Sequence, residues 1–236
     1  MKKILIAGGT SGIGLATAKL FVKKGNHVII LGRNEDKLKE ALWELGNSAE
    51  GYVLDVRDKE ILKEKLKLIG TIDHLIIAVS GAKGRGLFRE LNLDVLKQGF
   101  EEKFFAQLQM AQLAVDQISK EGSIVFVTAI SSQAKLVGTS GLGAINGALE
   151  TMVPVLAKEL KPIRVNAVSP GVVDTAWWDF LSPEEKKNTF EQLGAMIPVG
   201  RVGQPEEIAS AIEMLIENTF INGHVLVADG GTNVGQ

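Results

Sequence analysis

The chain of 236 residues is 45% hydrophobic and carries a formal net charge of −2. That is enough apolar material for one sizeable core, and there is no basic block to suit nucleic acid or an anionic membrane. Cysteine is absent, which removes disulfides, thiolate nucleophiles and Cys-ligated zinc and fits a cytoplasmic protein.

Short aliphatic runs alternate along the chain with longer segments of helical period. Strands are expected at Lys3–Ala7, His27–Leu31, Gly51–Leu54, His74–Val79, Ser123–Thr128, Ile163–Val168 and Val225–Ala228. The first is not a secretion signal, because its apolar run stops at Ala7 before a glycine cluster. No later segment approaches the length of a membrane span. Between the strands fall helices at Ile13–Lys24, Glu35–Leu45, Asp58–Leu68, Asp94–Ser119, Gly141–Leu160 and Glu206–Glu217. Gly25 and Gly46 stop the first two, and Pro205 suits the first turn of the last. The alternation predicts an α/β fold: a doubly wound parallel sheet of Rossmann type, about seven strands with helices on both faces. With no repeat or linker, residues 1–236 read as a single domain.

Residues 175–203 interrupt this rhythm, holding Trp177, Trp178, Phe180 and Phe190, with Ser182-Pro183-Glu184-Glu185 as a helix start. Such an insertion is either a substrate lid or a cover for the sheet end or a subunit contact.

The first strand runs into Gly8-Gly9-Thr10-Ser11-Gly12-Ile13-Gly14 and then a helix. A turn without Cβ atoms lets backbone approach a pyrophosphate, and the helix N-terminus offers free N–H groups to it. The second strand ends in Leu31-Gly32-Arg33-Asn34. An acid there would bind a ribose 2′-hydroxyl, whereas Arg33 suits a 2′-phosphate, so NADP is expected over NAD.

The spacing of Gly8, Gly12 and Gly14 resembles that of the short-chain dehydrogenase/reductase family. So do Asp55-Val56, Ala78-Val79-Ser80-Gly81 with only its glycine end kept, Arg164 to Gly171 followed by Thr175, Gly203 to Ala209, and Ala228 to Gly231. The resemblance covers essentially the whole chain. It implies a cofactor site of Gly8, Thr10, Ser11, Gly12, Ile13, Gly14, Arg33, Asp55, Val56, Ala78, Gly81, Asn146, Pro170, Gly171 and Thr175. It also implies a small-molecule carbonyl or alcohol substrate and a homo-dimer or homo-tetramer. The apolar residues of the Gly141–Leu160 helix are broad enough to bury more than one face.

The same resemblance exposes a departure. In the family a Ser, a Tyr and a Lys four residues after the Tyr carry out proton transfer. Aligned here, those positions hold Ala129, Leu142 and Asn146, and the only tyrosine, Tyr52, lies in the third strand. His27, His74 and His224 fall near strand starts, away from the site, and no cluster suggests a metal. The family's Asn position falls on Lys103, so Asn and Lys have traded places. Lys103 then either restores an ammonium beside the nicotinamide ribose or is a solvated lysine paired with a nearby glutamate. Two functions remain open: an NADP(H)-dependent oxidoreductase of atypical mechanism, or a non-catalytic dinucleotide-binding protein acting as redox sensor or partner subunit.

Overall fold

The computed structural model describes residues 1–234. Within them seven strands form one parallel sheet in the order β3-β2-β1-β4-β5-β6-β7. These are β1 (Lys3–Ala7), β2 (His27–Gly32), β3 (Ala49–Val53), β4 (Ile72–Ile77), β5 (Ile118–Val127), β6 (Arg164–Pro170) and β7 (Val225–Ala228). The helices are α1 (Gly12–Lys23), α2 (Glu35–Leu45), α3 (Lys59–Ile69), α4 (Leu93–Gly99), α5 (Ala106–Ala114), α6 (Ser140–Glu159), α7 (Pro183–Met196) and α8 (Pro205–Glu217).

Alternate residues of each strand go to opposite faces. Leu5, Ala7, Ile29, Leu31, Leu75, Ile77, Ile124, Phe126, Val165 and Ala167 join a core covered by α3, α5 and α6. Ile4, Ile6, Val28, Ile30, Ile76, Val125, Val127 and Val168 join a second core covered by α1, α2 and α8. Each fully buried Leu or Ile contributes about 1.5–3 kcal/mol. These apolar strands, hidden on both sides, set the fold class read from sequence.

Boundaries differ where packing overrides local pattern. β5 begins five residues earlier than expected, at Ile118, so the expected helix Asp94–Ser119 cannot reach Ser119. That helix is also not one piece. α4 gives way at Phe100–Phe105 to a π-helical turn before α5 continues. One inserted residue rotates the rest of a helix by about 100°, and such bulges concentrate at functional sites. Lys103 sits in this turn and is buried. On α6, Ile145, Leu149 and Val153 go into the core, while Val155 faces outward. Among the described residues no helix is long and apolar enough to cross a membrane.

Candidate active site

The strand order reverses between β1 and β4, and ligand clefts of open α/β sheets lie at such reversals, beyond the strands' carboxyl ends. A cleft of about 670 Å³ opens there. Every site residue expected from the sequence lines it: Gly8 and Thr10 to Gly14 of the glycine-rich turn, Arg33, Asp55 and Val56, Ala78 and Gly81, Lys103, Ala129, Leu142 and Asn146, then Pro170, Gly171 and Thr175.

At one end the wall is backbone. Gly8 (φ +84°) follows β1, and its N–H donates to the Leu31 carbonyl at 2.9 Å, tying the turn to β2. A Cβ on Gly14 would collide with the Gly8 carbonyl oxygen, so only glycine lets α1 start this close to the strand. Ser11 stands at the N-cap without using its side chain, which leaves the first N–H groups of α1 to an outside acceptor.

The neighbouring rim is cationic. Arg33 is exposed and makes no hydrogen bond or ion pair among the described residues. Arg57 grips Asp55 through Nε at 3.0 Å and Nη2 at 2.6 Å. That hydrogen-bonded pairing, despite partial burial, holds the Asp55 carboxyl below its usual range. Lys37, in the first turn of α2, lines the same rim. Arg57 and Lys37 escaped the sequence reading. Each follows a recognised site residue by two or four positions, and only the turn and helix geometry brings them to the cleft.

At the other end the wall is made of side chains. Ala129 and Leu142 offer no hydroxyl. Asn146 on α6 is buried, with its amide Nδ2 donating to Ser131 Oγ at 3.0 Å and to the Leu142 carbonyl at 2.9 Å. Its Oδ1 is buried and has no hydrogen-bond partner among the described residues.

Lys103 is 7% exposed, which corrects the expectation of a solvated lysine paired with a glutamate. Its Nζ donates to the Thr128 carbonyl at 3.2 Å, so two of its three protons remain for other partners. Burial lowers its pKa to about 8, against the attraction of the Glu150 carboxylate. The π-helical turn explains why sequence periodicity alone could not separate a buried Lys103 from an exposed one.

Gln107, one turn on from Lys103 and fully buried, was missed as well. Its Nε2 clamps the Val79 and Val127 carbonyls at 2.7 and 3.1 Å, joining the ends of β4 and β5. The histidines lie apart from this chemistry. His27 opens β2 beside Glu50, and His74 in β4 meets Ser123 at 2.9 Å, its pKa lowered to about 4 by burial. Tyr52 on the outer strand β3 makes its hydroxyl hydrogen bond to Glu50. Thr175 caps a short 3-10 turn that carries Trp177 and Trp178 onto the cleft wall. Beyond it, a full capping box at Ser182 and Glu185 starts α7, as the sequence predicted.

A Rossmann-type sheet with this turn at its switch point is the arrangement of dinucleotide-binding domains. The chain belongs to the short-chain dehydrogenase/reductase family. A family model described as "Enoyl-(Acyl carrier protein) reductase" matches residues 7–233. A mouse (Mus musculus) protein named 3-oxoacyl-(acyl-carrier-protein) reductase is 33% identical over 237 residues, covering 98% of this chain and 97% of its own. A small-chain dehydrogenase solved in complex with NADPH superposes with a TM-score of 0.85 at 28% identity, covering 99% of both chains. A short-chain oxidoreductase from Pseudomonas aeruginosa PAO1, described as containing an atypical catalytic center, gives a TM-score of 0.89 at 25% identity over 98% of this chain and 96% of that one.

The family binds a nicotinamide dinucleotide, and the residues present fit one. The glycine turn leaves no room for side chains where a pyrophosphate would lie, the α1 N–H groups are uncapped, and Asn146 Oδ1 lacks a donor.

Proposed function

We propose that this protein is an NADPH-dependent oxidoreductase of small carbonyl or alcohol substrates in which Lys103 takes over the work of the missing tyrosine and lysine. The observation that carries this reading is the buried Lys103, which lines the same cleft as Asn146 and Leu142 and whose Nζ donates to the Thr128 carbonyl. Burying a lysine this way destabilises the fold, since its folded-state pKa of about 8 lies below the ordinary lysine value of 10.5. Titratable groups shifted by desolvation beside a specific charge and lining a cleft cluster at functional sites.

When bound, the nicotinamide supplies or accepts hydride. The glycine turn and the α1 N-terminus hold the pyrophosphate, and Arg33, with Lys37 and Arg57 on the same rim, binds a 2′-phosphate. Asp55 is neutralised by Arg57 and so does not oppose that charge. Asn146 accepts a hydrogen bond from a ribose hydroxyl through Oδ1. Lys103 Nζ delivers a proton through water to the substrate oxygen as the carbonyl becomes an alcohol, and an amine poised near neutrality suits that transfer. Trp177 and Trp178 offer an apolar surface to the substrate. The NADPH found in one structural neighbour and the atypical center described for another support this reading.

Two measurements test it. NADPH absorbance is followed at high protein concentration with a carbonyl panel that begins with 3-oxoacyl thioesters, the class named for the mouse relative. Calorimetry of NADPH binding then compares Lys103→Ala with Lys97→Ala, whose exposed side chain pairs with Asp94 at 3.0 Å. Turnover, and weakened binding in the first variant alone, is the expected result. Tight binding with no turnover would leave a non-catalytic dinucleotide-binding protein, and equal affinities would remove Lys103 from the site.

A further inference from the structure

Glu150 lies one helical turn beyond Asn146 on α6, behind the cleft wall. Three donors converge on its carboxylate: Thr128 Oγ1 at 2.7 Å and Ser169 Oγ at 2.8 Å on Oε1, and Gln133 Nε2 at 3.3 Å on Oε2. Gln133 is itself held through its Oε1 by Asn233 Nδ2 at 3.1 Å. A carboxylate fixed from the ends of β5 and β6 and from the loop after β5 cannot swing away to solvent. Thr128 is the hinge of this arrangement. Its hydroxyl donates to Glu150, while its carbonyl accepts from Lys103 Nζ.

We propose that Glu150 is the positioning residue and counter-charge of Lys103: through Thr128 it fixes the ammonium on the cleft wall and keeps it protonated. This rests on the role given to Lys103 above, and it adds a residue that never touches substrate or cofactor. Other charges near Lys103 are already engaged or lie outward. Glu102, on the same π-helical turn, is held by Lys83 at 2.6 Å from the loop after β4, and Glu101 is exposed. Arg57, on the opposite rim, is bound to Asp55. Among the described residues Glu150 is the charged group that acts on the buried ammonium, and it favours the charged form.

The arrangement is tested on the whole protein by NMR titration of lysines labelled with 13C at Cε, with the Lys103 signal assigned by its absence in Lys103→Met. In the wild-type protein Lys103 should titrate at about 8, and in Glu150→Gln, which keeps the size and an acceptor oxygen, at a clearly lower pH. Glu150→Asp, which keeps the charge but withdraws it by one methylene, should fall between; it also serves if the Gln variant does not fold. With an active substrate from the panel, the alkaline limb of kcat should move to lower pH by the same amount. A titration unchanged in both variants, with melting temperatures preserved, would overturn the role of Glu150 while leaving Lys103 itself in place. A wild-type Lys103 that titrates like a free lysine would instead overturn the reading on which it rests.

Discussion

The glycine-rich end of the cleft and its lysine end are made of different materials. At the first, the wall is backbone: the turn from Gly8 to Gly14 and the uncapped start of α1, with Arg33, Lys37 and Arg57 along the rim. At the second, the wall is made of side chains, among them Ala129, Leu142, Asn146 and the buried Lys103. A backbone cradle depends on the absence of side chains, so it has a narrow range of sequences and is easy to recognise. A proton donor needs only a titratable group at a suitable point in space. That group can move to another helix, provided packing brings it to the same place.

Removing Lys103 strikes the lysine end of the cleft hardest. If reaction depends on it, Lys103→Met should lower kcat/KM by about 10²–10⁴-fold, the range for loss of a general acid. The same substitution should stabilise the protein at neutral pH, by on the order of 3 kcal/mol. The sign is set by proton affinity. The folded protein binds the Lys103 proton less tightly than the unfolded chain does, with a folded pKa of about 8 against 10.5. The cost of burial is therefore fully present below about 8 and vanishes as pH rises through 10.5. Urea unfolding between pH 7 and 10.5 should show wild-type stability climbing toward that of the variant. Parallel pH curves would mean that Lys103 is not buried in charged form.

Gly14→Ala strikes the other end. With its Cβ driven into the Gly8 carbonyl oxygen, the turn must open, at roughly 1–3 kcal/mol. NADPH and NADH should both bind about 10–100-fold more weakly in calorimetry. Undiminished binding would mean the backbone cradle is not where the pyrophosphate sits. Arg33→Ala should act on only one of the two cofactors, costing NADPH about tenfold, as expected for loss of one charge-assisted hydrogen bond, and sparing NADH. Equal loss of both would remove Arg33 from 2′-phosphate recognition. The smallest effect concerns residues 175–203. If they act as a lid, limited proteolysis should cut there first, and saturating NADPH should slow the cut a few-fold. A cut rate indifferent to cofactor would assign the segment a purely structural role.

Much of this molecule was legible in one dimension. The two-sided burial of each strand leaves near-continuous apolar runs, and the turn after β1 needs glycine at fixed spacings, so both the parallel sheet and the cleft position are written locally. The single tyrosine, Tyr52, lies in β3, and Ala129 and Leu142 bring no hydroxyl to the cleft, which the sequence shows directly. The place of Lys103 was less legible. A lysine flanked by Glu101, Glu102 and three nearby phenylalanines reads equally well as a surface or a core residue. The π-helical turn at Phe100–Phe105 is a matter of one extra residue in the hydrogen-bond ladder, which no helical period announces.

Gln107, Arg57 and Glu150 obey the same rule. The partners of Gln107 and Glu150 are carbonyls and hydroxyls 19 to 28 residues away, and Arg57 takes a carboxylate two residues away. The parallel sheet and the glycine-rich turn that opens the cleft could be read from residue order alone, because each depends on neighbours along the chain. That Lys103 is buried at the cleft and joined to Glu150 through Thr128 follows from the packing of distant elements, because desolvation and charge pairing depend on neighbours in space.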